Sequence, residues 1–369
     1  MSKVTQREAA AVEPPVEGPA IEDLATARAL TSIRLPLIGL PFAVLLFGVP
    51  AVWLIAAGGG WIGIAILTVA ALAFLVTLVL AVLISGRWIG PATRLLRTSP
   101  WRPATVKVFR PTRGLPKARL LARFPDGSTL NLLAPALPWA AQQVLARTGK
   151  IWLVGPDDKG WTAIRSTGLA LPLGQARVST AEFTSAYEIS VEQPAPVRAS
   201  LASADAVLAR VIAAPRKRAR TDLVAPALLT IFAGFIVVDL LRRGIRADQV
   251  WLSIGVFVGT LAILALLGWR IHRMLHWSKI DRLLAAGPWT QVPVDLPAPT
   301  RVTRKTVTGQ ATLPDGRVVP VVLPRAGSSL RTNVAATGVL WVAGKPEAGL
   351  TAAAGLPGYP FLNLAHFGE

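Results

Sequence analysis

The sequence predicts a membrane protein of mixed α and β structure, in which a transmembrane helical hairpin followed by a small β module occurs twice. Two observations support this prediction. Four long apolar runs lie in two pairs along the 369-residue chain, and 52% of all residues are hydrophobic. Short sequence marks that follow the first pair of runs return about 189 positions later. Because ordinary soluble domains are less apolar than this, we expect both pairs of runs to span a bilayer.

The four apolar runs form two helical hairpins, and one hairpin begins each copy of the repeated unit. They cover residues 35–57, 61–85, 223–241 and 250–269. Each run is long enough to cross the hydrocarbon core, which takes about 20 helical residues. The only charged residue within them is Asp239, near the end of the third run. Gly58-Gly59-Gly60 joins the first two runs, and so short a turn predicts that their helices are antiparallel neighbours.

The duplication is clearest in the β modules. A Pro-Asp-Gly turn, a tryptophan and a Pro-Trp pair occur in both copies. They are Pro125-Asp126-Gly127 and Pro314-Asp315-Gly316, Trp152 and Trp341, and Pro100-Trp101 and Pro288-Trp289. The first two marks recur at an offset of 189 and the third at 188. We expect both tryptophans of the second mark to be core residues, and both aspartates of the first to serve turn geometry.

The chain divides into six predicted segments. They are a disordered polar arm (1–33), the first transmembrane hairpin (34–86), a basic segment with the first β module (87–165), a linker with an amphipathic helix and a basic cluster (166–222), the second hairpin (223–269), and a basic helix with the second β module (270–369). About five short strands and one helix per module suggest a small barrel or sandwich of SH3-like or OB-like size.

Basic residues follow each hairpin and are the candidate ligands of lipid headgroups. They are Arg87, Arg94 and Arg97 after the first hairpin, and Arg270, Arg273, Lys279 and Arg282 after the second. In the second group, apolar and basic side chains alternate at helical spacing. Such a helix can lie flat at the level of the headgroups. The equal alternative is a helix that simply extends the preceding span.

Charge also predicts the orientation and the partners. The net charge is +19, and the lysines and arginines near the span ends place both termini and both modules on the cytoplasmic side of the cell membrane. The turn of the second hairpin is also basic and by itself predicts the opposite orientation. Fewer basic residues support that orientation. We expect anionic membrane lipid as a partner and no nucleic acid. A protein partner and a second copy of the chain are further candidates.

Catalytic and metal-binding patterns are missing from the sequence. The chain has no cysteine and only three histidines, His272, His276 and His366. The first two share a helix face without an acidic ligand in the same turn, which is a poor zinc pattern. Nucleophile, phosphate-binding and dinucleotide motifs are absent from the sequence. We therefore expect no enzyme activity, no cofactor and no metal site.

The sequence favours a non-enzymatic scaffold or interaction protein whose modules bind a protein partner or each other. The alternative is a small transporter or channel component, in which Asp239 would line a hydrated path. A membrane enzyme is disfavoured because it would need the motifs that are missing.

The tail of the chain resembles a known group of proteins. The marks are Gly338, Leu340 to Gly344 and Pro346, with Gly358 and the closing PFLNLAHF of residues 360–367. They resemble uncharacterised actinobacterial integral membrane proteins. The resemblance covers the duplicated unit and implies no activity.

Overall fold

The computed structural model describes residues 12–58, 60–111, 118–135, 137–180, 186–189, 200–243, 250–297 and 306–369. The chain forms two compact units. The barrel unit comprises Met1–Arg34, Ile84–Val211 and Ile280–Glu369. The helical unit comprises Leu35–Leu83 and Ile212–Lys279.

The first apolar pair forms two antiparallel helices, as predicted. Helix α1 covers Leu24–Ala56 and helix α2 covers Trp61–Ala81. The rings of Phe47 and Phe74 stack with centroids 5.3 Å apart, so the two helices are in contact. After α2, one π-helical turn leads into helix α3, Arg87–Thr98.

The second apolar pair lies in two longer helices, α5 (Ala206–Arg243) and α6 (Val250–Leu284). Among the described residues, three segments are long and apolar enough to cross a membrane, namely Leu24–Ala56, Gly63–Ala81 and Val256–Leu284. The third predicted run lies within α5, and its role as a span stays a prediction.

The long helices expose large apolar side chains that no protein surface covers. Phe42 is 70% exposed and Trp61 is 77% exposed. Soluble proteins rarely expose a contiguous apolar surface of this kind. The exposure therefore fits helices that are covered by lipid.

The first β module is a closed barrel with one helix. Its elements are β1 (Arg102–Pro111), β2 (Ala118–Arg123), β3 (Thr129–Ala134), α4 (Trp139–Thr148), β4 (Lys150–Val154), β5 (Trp161–Ser166) and β6 (Leu169–Val178). Neighbouring strands are antiparallel in the order β1-β2-β3-β6-β5-β4, and β4 pairs with β1 to close the ring. A short strand, β7 (Ala186–Glu188), adds to β1 outside the ring.

The second module is the same barrel without the extra strand. Its elements are β8 (Trp289–Asp295), β9 (Thr306–Thr312), β10 (Val318–Pro324), α7 (Ser328–Thr337), β11 (Val339–Ala343), β12 (Thr351–Gly355) and β13 (Leu362–Phe367). Its ring order, β8-β9-β10-β13-β12-β11, is that of the first barrel. The register is shared too, since Ile151 lies opposite Ala104 and Leu340 lies opposite Val292. The predicted duplication is thus visible in topology and register.

The barrels need one strand more than the sequence suggested. In the described residues each ring has six strands, and β6 lies beyond Arg165, where the first module was predicted to end. Pro172 and Gly174 interrupt the β pattern of this stretch in the sequence. Gly174 is required, because a Cβ there would lie 2.3 Å from Ile164 Cγ1, beside a register shift in the β5–β6 pair.

Two predicted boundaries differ from the structure for a related reason. The described part of the arm contains a 3-10 turn and the start of α1 at Leu24, where the sequence also allows a short helix over residues 22–29 leading to the membrane. The amphipathic helix predicted in the linker is the first part of α5 and continues through the basic cluster. Both stretches begin a long helix in the same way. A 3-10 turn precedes each helix, at Ala20–Glu22 and at Ala202–Ala204.

Candidate functional site

The start of α1 is fastened to the first barrel by a buried polar cluster. Asp23 caps the helix by accepting hydrogen bonds from the Thr26 backbone N–H (3.0 Å) and hydroxyl (2.7 Å). Arg165 of β5 forms an ion pair with Asp23 and donates to Thr26 Oγ1 at 3.0 Å. Trp101 Nε1 donates to the same oxygen at 3.3 Å. The helix therefore cannot leave the barrel without breaking several buried polar contacts.

Burial and charge oppose each other in this cluster. Burial by itself would raise the pKa of Asp23, but the charge of Arg165 and the hydrogen bonds of Thr26 outweigh it and hold the pKa below its ordinary value. Burial lowers the pKa of Arg165, which is only 3% exposed. The charge and the hydrogen bond of Asp23 partly offset this lowering of the pKa. Buried ion pairs add little net stability, whereas removing one partner is costly. The cluster therefore fixes position more than it adds stability.

The start of α5 uses the same cap with different chemistry. Asp205 Oδ1 accepts from the backbone N–H groups of Val207 (3.0 Å) and Leu208 (3.2 Å). Its other oxygen accepts from the N–H of Gly358, in the second barrel, at 2.6 Å. The position of Arg165 is taken by Gly355, since these two residues lie opposite Trp152 and Trp341 in their barrels. A side chain at Gly355 would collide with the Phe361 carbonyl oxygen, 2.6 Å from a built Cβ.

An asparagine joins the two barrels. Asn333 of α7 is 3% exposed. Its Nδ2 donates to the Gly168 carbonyl in the first barrel at 2.9 Å and to the Ser329 carbonyl at 2.7 Å. Its Oδ1 accepts from the Val12 N–H at 2.8 Å. One side chain thus connects the second barrel, the first barrel and the N-terminal segment.

The reverse contact is made by the first barrel. The Arg147 guanidinium of α4 lies over the Tyr359 ring, 5.1 Å from its centroid. Tyr359 follows Gly358, which is the counterpart of Gly168, and both glycines have positive φ (75° and 69°). The helix of each barrel therefore faces the turn before the last ring strand of the other barrel. We call this pair of reciprocal contacts the seam.

The first predicted lipid-binding segment is amphipathic, but its apolar face is occupied by protein. Trp88, Leu95 and Leu96 of α3 are buried in a cluster with Trp101 and other residues of the first barrel. Insertion of this face into lipid is therefore excluded. Two of its three predicted ligands, Arg94 and Arg97, are exposed, while the side chain of Arg87 lies outside the described part of the structure.

The second predicted lipid-binding segment is the continuation of α6. No break separates it from the apolar part of the helix, so the helical extension is observed and a separate flat helix is not. Arg273, Lys279 and Arg282 are exposed. The guanidinium groups of Arg270 and Arg273 lie 5.0 and 5.8 Å from the centroid of the Trp269 ring. Tryptophan beside arginine is typical of helix ends at the membrane interface.

The remaining candidate residues have local roles or fall outside the description. Asp126 accepts from the Ser128 N–H at 2.9 Å and Asp315 from the Arg317 N–H at 3.0 Å, which confirms their assignment to turns. Trp152 and Trp341 are both buried, as predicted. His366 Nδ1 lies 2.7 Å from Thr351 Oγ1. The described residues contain no group of three or more His, Cys, Asp or Glu that could hold a metal ion. The side chain of Asp239 is outside the described part.

The polar cluster at the start of α1 was not found from the sequence. Asp23 and Arg165 are 142 positions apart, and nothing local marks them as partners. A usable signal does exist, because Ala20 and Asp23 return as Ala202 and Asp205, 182 positions later. That offset differs from 189, so it is hidden when only one offset is searched.

No known protein family, curated protein or solved structure matches the chain. Function must therefore be inferred from the geometry alone.

Proposed function

We propose that the protein is a non-enzymatic membrane scaffold that holds two β-barrels, bound to each other, at the inner leaflet of the cell membrane. The seam carries this proposal. Asn333 and Arg147 make reciprocal contacts between the barrels. Each barrel therefore occupies a surface of the other to which a separate protein partner or a second copy of the chain would otherwise bind.

The fastened helix starts support a positioning role. Asp23 and Asp205 each cap a long helix and also bond a barrel, Asp23 through the side chain of Arg165 and Asp205 through the N–H of Gly358. Helix α1 is long and apolar enough to cross a membrane, so its fastened start would keep the first barrel close to the bilayer. Exposed cations on α3 and α6, including Arg94, Arg97, Arg273, Lys279 and Arg282, would attract anionic lipid, at about 1 kcal/mol for each cation near the surface.

The seam can be tested by crosslinking, because the chain has no cysteine of its own. The variant Arg147→Cys/Tyr359→Cys should form an intramolecular crosslink when native membranes are treated with a short bifunctional maleimide. Mass spectrometry of the purified monomer would identify the linked peptides. Each single-cysteine variant is the matched control and should yield no crosslinked product. Crosslinked dimers of the double variant, or of a co-expressed mixture of the two single variants, would show that the barrels pair between chains, which would contradict the proposal.

The inner-leaflet position can be tested by introducing a single cysteine into the same cysteine-free chain. Asp126 lies in an exposed hairpin turn, so Asp126→Cys gives a reactive thiol at the barrel surface. A membrane-impermeant maleimide should leave this thiol unlabelled in intact cells and label it after permeabilisation. Labelling of intact cells would place the barrels outside and overturn the orientation.

A further inference from the structure

The N-terminal segment crosses the seam. Val12 is joined to both barrels through its backbone, because its N–H donates to Asn333 Oδ1 at 2.8 Å and its carbonyl accepts from the Gly168 N–H at 3.0 Å. Since Asn333 Nδ2 also donates to the Gly168 carbonyl, the three residues close a ring of hydrogen bonds. We call residues 12–19 the strap. The ring holds the strap by its main chain and leaves the side chain of position 12 unread.

The next residue of the strap is held by charge. Glu13 forms an ion pair with Lys150 at the start of β4, with Nζ and Oε1 2.8 Å apart. Burial raises the pKa of the Tyr359 hydroxyl, Arg147 opposes the rise, and the carboxylate of Glu13 adds to it. The acid therefore lies near the second barrel as well as the first. Because the ion pair with Lys150 is exposed, it contributes selectivity for an acid more than affinity.

Burial changes sharply along the strap. Pro14 is buried, whereas the four residues after it are all exposed. No hydrogen bond joins residues 15–18 to the described part of the barrels. The chain is fastened again at Ala20, whose N–H donates to the Ser99 carbonyl at 3.0 Å. Residues 12–14 can therefore leave the seam while the start of α1 stays in place.

The duplication does not account for the contacts that hold the strap. The polar side chains that contact or face residues 12 and 13 have apolar counterparts in the other copy. Asn333, Lys150 and Arg147 lie at the positions of Val144, Val339 and Ala336. Since the second barrel forms the same ring without a lysine or arginine at these positions, the barrel fold does not require them. They serve the strap and the seam.

We propose that the site that holds residues 12–14 is a recognition site for an extended segment of a partner protein in which, as in the strap, an acidic residue precedes a proline. The strap fills the site in the free chain, and the partner's segment replaces it. Main-chain hydrogen bonds that give affinity, combined with side-chain contacts that give specificity, are a common mode of peptide recognition. The inference deepens the scaffold role by naming the class of partner, and it rests on that role because the site exists only where the barrels pair.

The test measures how a fluorescent peptide with the sequence of residues 8–18 binds the full chain in phosphatidylcholine nanodiscs, by fluorescence anisotropy. The strap competes with the peptide, so a variant that expels the strap should bind the peptide more tightly. Pro14→Asp is that variant, because it would bury an unpaired charge. We expect its dissociation constant to be at least about tenfold lower than that of the wild type. Pro15→Asp makes the same change at the exposed neighbour, so it is the matched control and should bind as the wild type does.

Changes in the peptide test the chemistry of the site on the Pro14→Asp chain. A peptide that carries Pro14→Asp should bind at least about tenfold more weakly, whereas one that carries Pro15→Asp should bind as before. A peptide that carries Glu13→Lys should bind about threefold more weakly, and Lys150→Glu in the chain should reverse this preference. A scrambled peptide controls for the attraction of any acidic peptide to a chain of net charge +19, and equal binding of the scrambled peptide would overturn the inference.

Crosslinking identifies the occupant of the site in the free protein. In Glu13→Cys/Lys150→Cys, a short bifunctional maleimide should link the strap to the barrel within one chain. Crosslinked dimers in a co-expressed mixture of the two single variants would show that a second copy supplies the strap. That result would overturn the assignment of the site to a partner protein.

The crosslink at the seam separates failure of this inference from failure of the scaffold. Arg147→Cys/Tyr359→Cys should still form its intramolecular crosslink when Pro14→Asp is added. If the crosslink forms and Pro14→Asp binds the peptide no more tightly than the wild type, the recognition site is refuted and the scaffold is unaffected. A crosslink that is lost only when Pro14→Asp is added would make the strap a fixed part of the seam, which also overturns the inference. A crosslink that is absent from both would refute the scaffold and the recognition site together.

Discussion

Asp23 and Asp205 occupy equivalent positions in the two copies, but they bond different partners. Both cap a long helix and both bond a barrel: Asp205 uses the oxygen that capping leaves free, whereas Asp23 uses the same oxygen that accepts from Thr26. The first faces the buried guanidinium of Arg165, and the second faces a backbone N–H. The capping geometry has been kept because every helix start exposes unpaired N–H groups. The partner was free to change as long as the carboxylate stayed bonded.

Removal of Asp23 should cost far more than the loss of a helix cap. In Asp23→Ala, the guanidinium of Arg165 stays buried without its counter-charge, so we expect a loss of about 3–5 kcal/mol in the free energy of unfolding. Denaturant unfolding in detergent micelles measures it.

The double variant Asp23→Ala/Arg165→Met separates the two contributions. Since it removes the orphaned charge as well, it should recover most of the loss and leave about 1 kcal/mol for the cap. A double variant as unstable as the single one would show that the ion pair is not the source of the cost.

The same pair predicts the direction of acid sensitivity. The pKa of Asp23 is lower in the folded state than in the unfolded chain, where it is about 3.9. The stabilisation is therefore present above pH 4 and disappears as the pH falls through the folded-state pKa, because the unfolded state then binds more protons. Between pH 5 and pH 2 the thermal midpoint of the wild type should fall more steeply than that of Asp23→Asn. Parallel curves would contradict the assignment.

At the scale of elements, α3 is a barrel helix that follows the first apolar hairpin. Its apolar face packs into the first barrel, and Arg34 of α1 also donates to Thr93 on this helix. The second copy has no separate element here, because α6 continues unbroken to Leu284, where Ile280 and Leu284 are fully buried. Both copies thus reach the barrel through a helix whose buried side belongs to protein.

A pair of neighbouring substitutions tests the assignment of the two faces of α3. Leu96→Ala should lower the free energy of unfolding by about 2–5 kcal/mol, because Leu96 is fully buried and the substitution leaves a cavity. Arg97→Ala, on the exposed face, should change it by no more than about 0.5 kcal/mol. Denaturant unfolding of both variants provides the measurement. Equal, small effects would indicate that the apolar face of α3 lies in lipid and not against the barrel.

The sequence predicted the helices, strands and turns better than the contacts between distant parts of the chain. The turns, the two barrel helices and most strands follow from local patterns, as Pro125-Asp126-Gly127 illustrates. Strand β6 was missed because Gly174 breaks the pattern for a tertiary reason, the close approach of Ile164. The contacts of the N-terminal segment with Arg165 and Asn333 were missed because these two residues lie far along the chain. Contacts between distant segments leave no local period for a sequence pattern to detect.

At the scale of the whole molecule, duplication gives one chain two barrels that are similar enough to pair and different enough to specialise. Asn333 lies at the position of Val144, and Arg147 lies at that of Ala336, so the two halves of the seam use different side chains. Such asymmetry favours pairing between the two unlike copies over pairing of like with like. A fused pair also fixes the stoichiometry at one to one.

Separation of the two copies tests the pairing of the barrels most directly. The chain would be cut between residues 190 and 199, and the halves co-expressed in membranes with an affinity tag on one half only. We predict that the untagged half co-purifies in equal amount, and that Asn333→Leu, which leaves the Gly168 carbonyl and the Val12 N–H without their partner, sharply reduces the yield. Asn131→Leu, at a half-buried position in β3, is the control and should not reduce it. Halves that purify separately, or that co-purify equally well with Asn333→Leu, would contradict a scaffold built on the seam.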